Sequence, residues 1–330
     1  MSNFIAHMDT SFINTAASLL SPGGHRARLS IVLYHRVPKE PDELLFGQED
    51  AESFEAQIRH LSNHFNVLPL HEAVQRLQEK TLPSRAACIT FDDGYANNAE
   101  VALPILQKYN VVATFFIAAG FINGGMMWND KLIELLRRAP NSVLDLSEIG
   151  LDKYDISSLA QRRKTLFTLI DIFKYLPHEE RFARLDRLCQ LIPVTLPERL
   201  MMTAEQIKQL HNADMEIGGH TVNHPILTRL DSAAAYTEID SGKKILENII
   251  QAPVRYFAYP NGKPGRDYIP EHVAMLKEIG FDAAVSTAWG AATKNADIYQ
   301  LPRFTPWNIR RNRFVLQMMQ NMHRTVQTVS

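Results

Sequence analysis

The chain has 330 residues, of which 45% are hydrophobic and 22% are charged, and its formal net charge is −1. This composition is typical of a globular protein and excludes an intrinsically disordered chain. The small net charge gives no reason to expect a nucleic acid as the partner.

The sequence also carries information about the cellular compartment. Cys88 and Cys189 are the only cysteines and neither has a CxxC neighbour, so we expect two reduced thiols rather than a disulfide framework. The longest nearly apolar stretch, residues 111–122, is shorter than the roughly 20 residues that a transmembrane helix needs. The N-terminus lacks the basic and apolar regions of a secretory signal, so we predict a cytoplasmic protein that is either soluble or peripheral at the membrane.

The first segment, residues 1–29, is predicted to be amphipathic. Its apolar side chains lie roughly on one helical face: Phe4, Ile5, Met8, Phe12, Ala16, Leu19 and Leu20. Two interpretations stay open, namely docking on the protein's own surface or a partner, and peripheral contact of residues 4–20 with a membrane.

From residue 30 onward, short apolar segments alternate with amphipathic ones. The apolar segments are rich in Val, Ile and Phe, as expected of strands buried on both faces. The predicted strands are residues 30–34, 66–70, 86–91, 111–117, 215–218, 254–259 and 281–286. The predicted helices between them are residues 52–64, 71–80, 97–109, 232–250 and 268–279, the last of which ends at Gly280. This alternation indicates parallel strands, and seven of them favour an α/β fold, an irregular (β/α)7 barrel, over an open doubly wound sheet.

A helical insertion at about residues 128–205 interrupts this alternation. It shows no strand pattern, and its predicted helices are residues 131–138, 158–176 and 178–192. A further helix begins where Thr203 and Gln206 stand at capping-box spacing. A role as a lid over the substrate and a role in packing both stay open. We therefore predict an N-terminal segment (1–29), a central α/β domain (30–305) that contains the insertion, and a C-terminal helix (306–330).

Two adjacent carboxylates are the most informative feature. The sequence ITFDDG at residues 89–94 places Asp92 and Asp93 directly after a predicted buried strand. Neighbouring side chains on a strand point to opposite faces, but Gly94 allows the backbone to turn and both acids to reach one cavity. Carboxylates this close repel each other unless a cation keeps one of them ionised. Taken alone, the motif could equally be a solvated turn before a helix.

Two histidines follow another predicted strand, in the sequence HTVNH at residues 220–224. Four residues apart, His220 and His224 can meet on one side of a helical turn, and zinc-binding pairs have similar spacings. The pattern alone is common by chance. Together with the acidic pair, however, it supplies one carboxylate and two imidazoles and leaves coordination positions open. We therefore predict Asp93, His220 and His224 as metal ligands, with Asp92 left as a general base.

The segments ITFDDGY, GGHTVNHP and FAYPNG resemble the polysaccharide deacetylase family, also called carbohydrate esterase family 4 or the NodB-homology fold. The resemblance covers about residues 30–127 and 202–305. It implies a hydrolase that removes acetyl groups from an N-acetylated amino sugar in a saccharide or glycoconjugate. It also implies Asp92 as the base and Asp93, His220 and His224 as ligands of one divalent ion, usually zinc. A site of this type also accepts Co, Ni or Fe.

The third family motif departs from its usual pattern. Its arginine, which steadies the catalytic base, is replaced by Ala258, and Arg255 should face away by strand alternation. Arg303 in the later sequence LPRF is the better candidate for that role. The resemblance also implies the backbone N–H of Asn261 as an oxyanion donor, a role that depends little on the side chain.

The catalytic acid is also displaced from its usual place. The family's acid histidine lies near the C-terminus, where only His323 occurs, inside a predicted helix. The first strand instead continues into the sequence LYHRV, which resembles the subgroup that includes the poly-N-acetylglucosamine deacetylases. In that subgroup the acid lies on the N-terminal strand, which implies His35 here.

Several points stay open at the level of sequence. Tyr95, Tyr259 and Trp289, as well as Trp128 and Trp307, could stack on sugar rings or could pack in the interior. Two rival functions are an amidase of a small cyclic amide or imide and a carbohydrate-binding pseudoenzyme, because fold does not determine substrate. The substrate could be a free polysaccharide, a lipid-linked oligosaccharide or a nucleotide sugar.

Overall fold

The computed structural model describes residues 10–45, 49–140 and 143–330. The strands of this part of the chain are β1 (Leu29–Tyr34), β2 (Asn66–Val67), β3 (Ala86–Phe91), β4 (Ala113–Ile117), β5 (Val143–Asp145), β6 (Lys153–Asp155), β7 (Glu216–Gly219), β8 (Tyr256–Ala258) and β9 (Ala283–Val285). The α-helices are α1 (Thr10–Leu20), α2 (Ala51–His64), α3 (Leu70–Glu79), α4 (Leu103–Lys108), α5 (Trp128–Arg138), α6 (Leu159–Lys174), α7 (His178–Leu191), α8 (Ala204–Asn212), α9 (Ser232–Ile250), α10 (Pro270–Ile279) and α11 (Arg311–Asn321).

Seven of the strands form one parallel sheet. Its order is β1-β3-β4-β7-β8-β9, and β2 pairs with the start of β3. Residues 301–304 bridge the gap between the two ends of the sheet, because Leu301 pairs with Val285 of β9 and Phe304 pairs with Val32 of β1. The sheet therefore curls into an irregular barrel surrounded by helices. The predicted (β/α)7 barrel is confirmed, and each of its seven predicted strands is present.

Burial and capping explain why these elements form where they do. Every residue of β1 and β3 is buried, as expected for parallel strands covered on both faces. The capping box predicted from Thr203 and Gln206 is present at the start of α8. Helix α10 ends at Gly280, whose φ of 87° lies in the left-handed region that glycine adopts readily. The predicted helix 97–109 begins with a π-helical turn, Asn98–Ala102, before α4.

The insertion contains α5, α6 and α7, but the expectation that it holds no strand is wrong. Strands β5 and β6 form a small antiparallel pair. Each is three residues long, with Leu144 buried between two exposed neighbours in β5, which is too short for a recognisable period. The insertion has an apolar core of its own, which includes Leu132, Leu166, Phe173 and Leu188.

The N-terminal and C-terminal helices pack together. Helix α1 contacts α2 and α11, with Ala17 buried and Leu19 exposed, so this segment docks at least in part on the protein's own surface. Residues 4–9 of the predicted membrane-facing segment lie outside the described residues. No helix in the described part of the chain is long and apolar enough to cross a membrane. Both cysteines are free thiols. The cytoplasmic location and the division into domains stay predictions.

Candidate active site

The acidic pair lies at the carboxyl end of β3, where the chain leaves the barrel. The N–H of Asp92 donates to the carbonyl of Tyr34, which continues the pairing of β1 with β3 by one residue. The turn then begins at Asp93 itself, whose φ is 79°, and continues through Gly94, whose φ is 93°. A Cβ on Gly94 would lie 2.8 Å from the side chain of Ile117. Both carboxylates therefore reach one cavity, as predicted, but the left-handed turn includes Asp93 as well as the glycine.

The two histidines follow β7 in a loop, so the predicted helical turn is wrong. Thr221 and His224 have φ values of 65° and 53°, and these left-handed residues bring the two imidazoles together. The ring centres of His220 and His224 lie 4.7 Å apart. The carboxylate of Glu238, on α9, accepts hydrogen bonds from the backbone N–H groups of Val222 (3.0 Å) and Asn223 (2.8 Å) and so holds the loop.

Asp93, His220 and His224 form a compact group of potential metal ligands. Nε2 of His220 lies 3.5 Å, and Nε2 of His224 lies 3.4 Å, from Oδ1 of Asp93. That oxygen is buried and has no hydrogen-bond partner among the described residues. Ligands bound about 2.1 Å from a tetrahedral ion lie about 3.4 Å from one another, so the spacing fits a shared ion.

The pKa shifts of the three groups differ: burial tends to lower the pKa of His220, but the carboxylates of Asp92 and Asp93 outweigh burial and raise the pKa. Burial tends to raise the pKa of Asp93, but the neighbouring imidazoles outweigh it and hold the pKa well below its usual value. Burial lowers the pKa of His224 to about 4, so its ring is neutral at neutral pH, as a metal ligand must be. Nδ1 of His220 lies 2.7 Å from the carbonyl oxygen of Ala258, an arrangement that orients the ring with Nε2 towards Asp93.

Asp92 is held by Arg303 in a bidentate pair. Nη1 of the arginine donates to Oδ1 at 2.6 Å and Nη2 donates to Oδ2 at 2.7 Å. Both side chains are buried. Burial tends to raise the pKa of Asp92, but the charges of Arg303 and His220 outweigh it and lower the pKa. Arg255 is exposed and pairs with Asp282, as expected of a side chain that faces away from the site.

A cavity of about 470 Å³ opens above these groups, at the carboxyl ends of the strands. It is lined by Asp92, Asp93, His220 and His224 and also by His35 and Asn261. The side chain of His35 is exposed, and the amide of Asn98 donates to its carbonyl oxygen at 2.8 Å. Asn261 has a φ of 58°, and no described residue accepts a hydrogen bond from its N–H. A larger cavity of about 1030 Å³, at the opposite end of the strands, contains none of these residues.

The three aromatic candidates for sugar binding differ in their position relative to the cavity. Tyr95 lines the cavity, although its side chain is buried and its hydroxyl donates to Asp130 at 3.1 Å. Trp289 is exposed and lies outside the cavity, stacked on Trp307 with their ring centres 5.7 Å apart. Tyr259 is fully buried in the core and stacked on Tyr268, so the expectation that it contacts a sugar is wrong.

Sequence reasoning missed three residues beside the site. Arg36 lies over the ring of Tyr95 and also lines the cavity. Asp130, from the insertion, is buried against Tyr95, and Glu238 binds the histidine loop from α9. Arg36 could have been found from the sequence, because it directly follows the candidate acid His35 in the segment LYHRV. By contrast, no local pattern connects Asp130 or Glu238 with the site.

Comparison with known proteins identifies the family. Residues 79–152 and 180–284 match the family model of polysaccharide deacetylases. The chain belongs to the polysaccharide deacetylase family. It is therefore an enzyme, a hydrolase that acts on amide bonds. The matched segments of this polysaccharide deacetylase extend into the insertion, which we expected to lie outside the match, and do not include residues 30–78 or 285–305.

Two relatives illustrate how distant the similarity is. This polysaccharide deacetylase is 22% identical over 287 residues to YxkH of Bacillus subtilis (strain 168), which corresponds to 84% of this chain and 71% of YxkH. It is 30% identical over 113 residues to the poly-beta-1,6-N-acetyl-D-glucosamine N-deacetylase of Staphylococcus aureus (strain MSSA476), covering 34% of this chain and 39% of that protein.

Solved structures share the fold of this polysaccharide deacetylase over most of its length. The Streptococcus pyogenes deacetylase PplD, in complex with acetate, superimposes with a TM-score of 0.60 at 19% identity, covering 89% of this chain and 98% of PplD. IcaB from Ammonifex degensii gives a TM-score of 0.58 at 18% identity, covering 91% and 98%. At these identities the similarity shows the fold alone.

Proposed function

We propose that this polysaccharide deacetylase is a metal-dependent N-deacetylase that hydrolyses the acetamide of an N-acetylated amino sugar and releases acetate. The observation that carries this proposal is the convergence of Asp93, His220 and His224 beside the Asp92–Arg303 pair in one cavity. A binding protein would have no need for a second, ionised carboxylate held next to a group of metal ligands.

Asp93, His220 and His224 would hold one divalent ion. When bound there, such an ion would lower the pKa of a water molecule and polarise the acetamide carbonyl. Zinc is the expected ion, and Co, Ni or Fe would also suit two imidazoles and one carboxylate.

The remaining residues have distinct roles in the proposed reaction. Asp92 accepts a proton from the attacking water, and Arg303 keeps it ionised and oriented. The N–H of Asn261 is free to donate to the oxygen that becomes negatively charged. His35 lies at the edge of the cavity, where it can protonate the departing amine. Protonation is essential because an amide anion is a very poor leaving group.

The substrate class rests on the relatives. The Staphylococcus aureus protein is named as acting on poly-beta-1,6-N-acetyl-D-glucosamine. We therefore propose a saccharide or glycoconjugate that contains N-acetylglucosamine, with Tyr95 and Trp289 as candidates for contact with its sugar rings.

The test is acetate release by the purified, zinc-loaded protein from β-1,6-linked N-acetylglucosamine oligomers and from chitin oligomers. We expect release that disappears after chelation and returns with zinc. A small cyclic imide serves as the comparison substrate. Hydrolysis of the imide without acetate release from any oligomer, or the absence of both, would refute the proposed function.

A further inference from the structure

Three cations lie around a partly exposed tyrosine where the insertion meets the barrel, and a fourth is close to one of them in the chain. We call this group the cationic cluster: Lys174, Arg229 and Arg266, which lie around Tyr175, and Lys263, three residues before Arg266. The guanidinium carbon of Arg266 lies 4.8 Å from the centre of the tyrosine ring, and that of Arg229 lies 6.0 Å from it. Nζ of Lys174 also lies 6.0 Å from the ring centre. Burial lowers the pKa of Lys174, the charge of Asp267 opposes this, and the charges of Lys263 and Arg266 lower the pKa further. The backbone N–H groups of Arg266 and Asp267 donate to the carbonyl of Lys263 at 3.2 and 2.9 Å, so Lys263 lies in the same turn as Arg266.

Among the described residues, no close ion pair balances the charge of the cluster. In the described part of the chain, none of its cations has a carboxylate oxygen within 4.0 Å, whereas Lys108, Arg137 and Lys244 all form such pairs. Asp267 and Asp171 raise the pKa of Lys174 from beyond 4.0 Å, and Asp267 is the strongest of the charges that act on it. Asp267 is buried and accepts a hydrogen bond from the backbone N–H of Lys263.

Helix geometry and cation–π contacts account for only part of this arrangement. Lys174 is the last residue of α6, where a cation interacts favourably with the helix dipole. Contact with Tyr175 stabilises a cation over the ring. Neither effect explains why Arg229, Lys263 and Arg266, all exposed and from two separate loops, converge on the same place. Mutual repulsion of these charges would be relieved by a bound anion.

The cluster shares its loops with the active site. Lys263 follows Asn261 by two residues, so their Cα atoms lie within about 7 Å of each other. Arg229 lies on the loop that begins with the metal-binding histidines. The two loops are joined, because the hydroxyl of Thr228 donates to the carbonyl of Arg266 at 2.6 Å. A saccharide with its acetamide in the cavity could therefore extend to the cluster.

We propose that the cationic cluster binds an anionic group, a phosphate or a carboxylate, carried by the saccharide substrate. This inference rests on the proposed deacetylase function. Arg229 and Arg266 supply planar donors that suit either anion, and contact with Tyr175 holds their side chains in place. The exposed part of Tyr175 packs against an adjoining sugar ring.

The experiment compares charged and uncharged substrates of the zinc-loaded enzyme. The uncharged substrate is a chitin tetrasaccharide. The carboxylate substrate is a hyaluronan tetrasaccharide, in which N-acetylglucosamine alternates with glucuronate, and the phosphate substrate is UDP-N-acetylglucosamine. The quantity measured is the ratio of kcat/KM for each charged substrate to that for the uncharged one, by acetate release. This ratio does not depend on the fraction of enzyme that is folded.

The test variant is Arg229→Gln/Lys263→Gln/Arg266→Gln. The matched control is Lys80→Gln/Lys208→Gln/Lys294→Gln, which removes the same charge from exposed lysines that have no ion pair among the described residues. We expect the wild type to favour at least one charged substrate and the test variant to lose about tenfold or more of that ratio. The control variant keeps the wild-type ratio. The preferred substrate identifies the anion as phosphate or carboxylate.

Two outcomes would overturn the inference while leaving the deacetylase function intact. One is an enzyme that releases acetate with the same ratios in the wild type, the test variant and the control. The other is a cluster required only for binding to vesicles that contain phosphatidylserine, which would assign it to a membrane surface.

If no substrate releases acetate, calorimetric titration with the two charged compounds decides. Binding lost only in the test variant supports the cluster without the proposed function, and binding that is absent or unchanged refutes it.

Discussion

Arg303 and Asp92 lie 211 residues apart in the chain and form a buried pair with two hydrogen bonds of 2.6 and 2.7 Å. The arginine comes from the segment that closes the barrel between β9 and β1, and the aspartate comes from the end of β3. Closure of the barrel and ionisation of the proposed base are therefore linked through one guanidinium group.

Replacing Arg303 should shift the pH dependence of the enzyme. Arg303 lowers the pKa of Asp92, so Arg303→Met raises that pKa and leaves the carboxylate protonated over a wider range. We expect the acid limb of the kcat/KM profile to move upward by about 1–3 pH units. Arg303→Lys keeps the positive charge and should shift the limb less. A profile of unchanged position in the Met variant would contradict this role. Because a buried pair is broken, the Met variant should also lose about 3–5 kcal/mol of stability.

The proposed roles of Asp92 and His220 can be separated by measuring bound zinc. Asp92→Asn should keep its zinc and lose about 10²–10⁴-fold in kcat, because only the base is removed. His220→Ala should lose the zinc itself, because one of three protein ligands is gone. Metal content is determined after zinc loading and gel filtration. Equal zinc in the two variants would show that the division of roles is wrong.

His35→Gln tests the proposed acid through the leaving group of the substrate. The variant should retain zinc and lose about 10²–10⁴-fold on N-acetylated sugars, whose amine must be protonated as it departs. Hydrolysis of 4-nitrophenyl acetate should fall much less, because nitrophenolate leaves without a proton. Equal losses on both substrates would argue against an acid role. The side chain is exposed, so the substitution should not disturb folding.

Glu238 should affect metal binding although it is not a proposed ligand. Its carboxylate accepts two backbone hydrogen bonds and one side-chain hydrogen bond from Val222 and Asn223, which lie between the histidines. Glu238→Ala should weaken zinc binding by about 10–100-fold, measured by competition with a chelator. The control Asp240→Ala removes an exposed pair with Lys244 on the same helix and should leave zinc affinity unchanged. A similar loss in both variants would point to a general effect on α9.

Asp130 should make the protein less stable as pH rises. Burial raises the pKa of Asp130 to about 7, above its usual value of 3.8, so between these pH values the folded state binds the proton more tightly than the unfolded state. The protonated carboxyl of Asp130 therefore makes its full contribution to stability below pH 3.8. This contribution is lost as the pH rises through about 7. At pH values above 7, Asp130→Asn should raise the Tm by about 2–4 °C for each kcal/mol of unfolding free energy that is recovered. At acid pH the substitution should change the Tm little. Asp171→Asn, on an exposed surface of α6, is the control. Equal Tm differences at both pH values would refute this effect.

Short-range patterns in the sequence were sufficient to predict the barrel. Apolar segments such as 86–91 identify strands directly, because a parallel strand buried on both faces is apolar at every position. Capping residues and Gly280 indicate where helices begin and end, since these effects act within one turn. Strands β5 and β6 were missed for the opposite reason, because a three-residue strand has no measurable period.

The motifs predicted the candidate ligands and the base from residue type and spacing, and the resemblance to a family implied the candidate acid. Which distant groups complete the site was decided by the tertiary structure. Glu238 and Asp130 lie close to it only because α9 and the insertion pack there, and the left-handed backbone of Asp93, Thr221 and His224 is maintained by tertiary contacts. Local sequence determines the conformations that a short segment prefers. The cations around Tyr175 come together only when the insertion and two loops meet, because electrostatic contact depends on distance in space and not on separation along the chain.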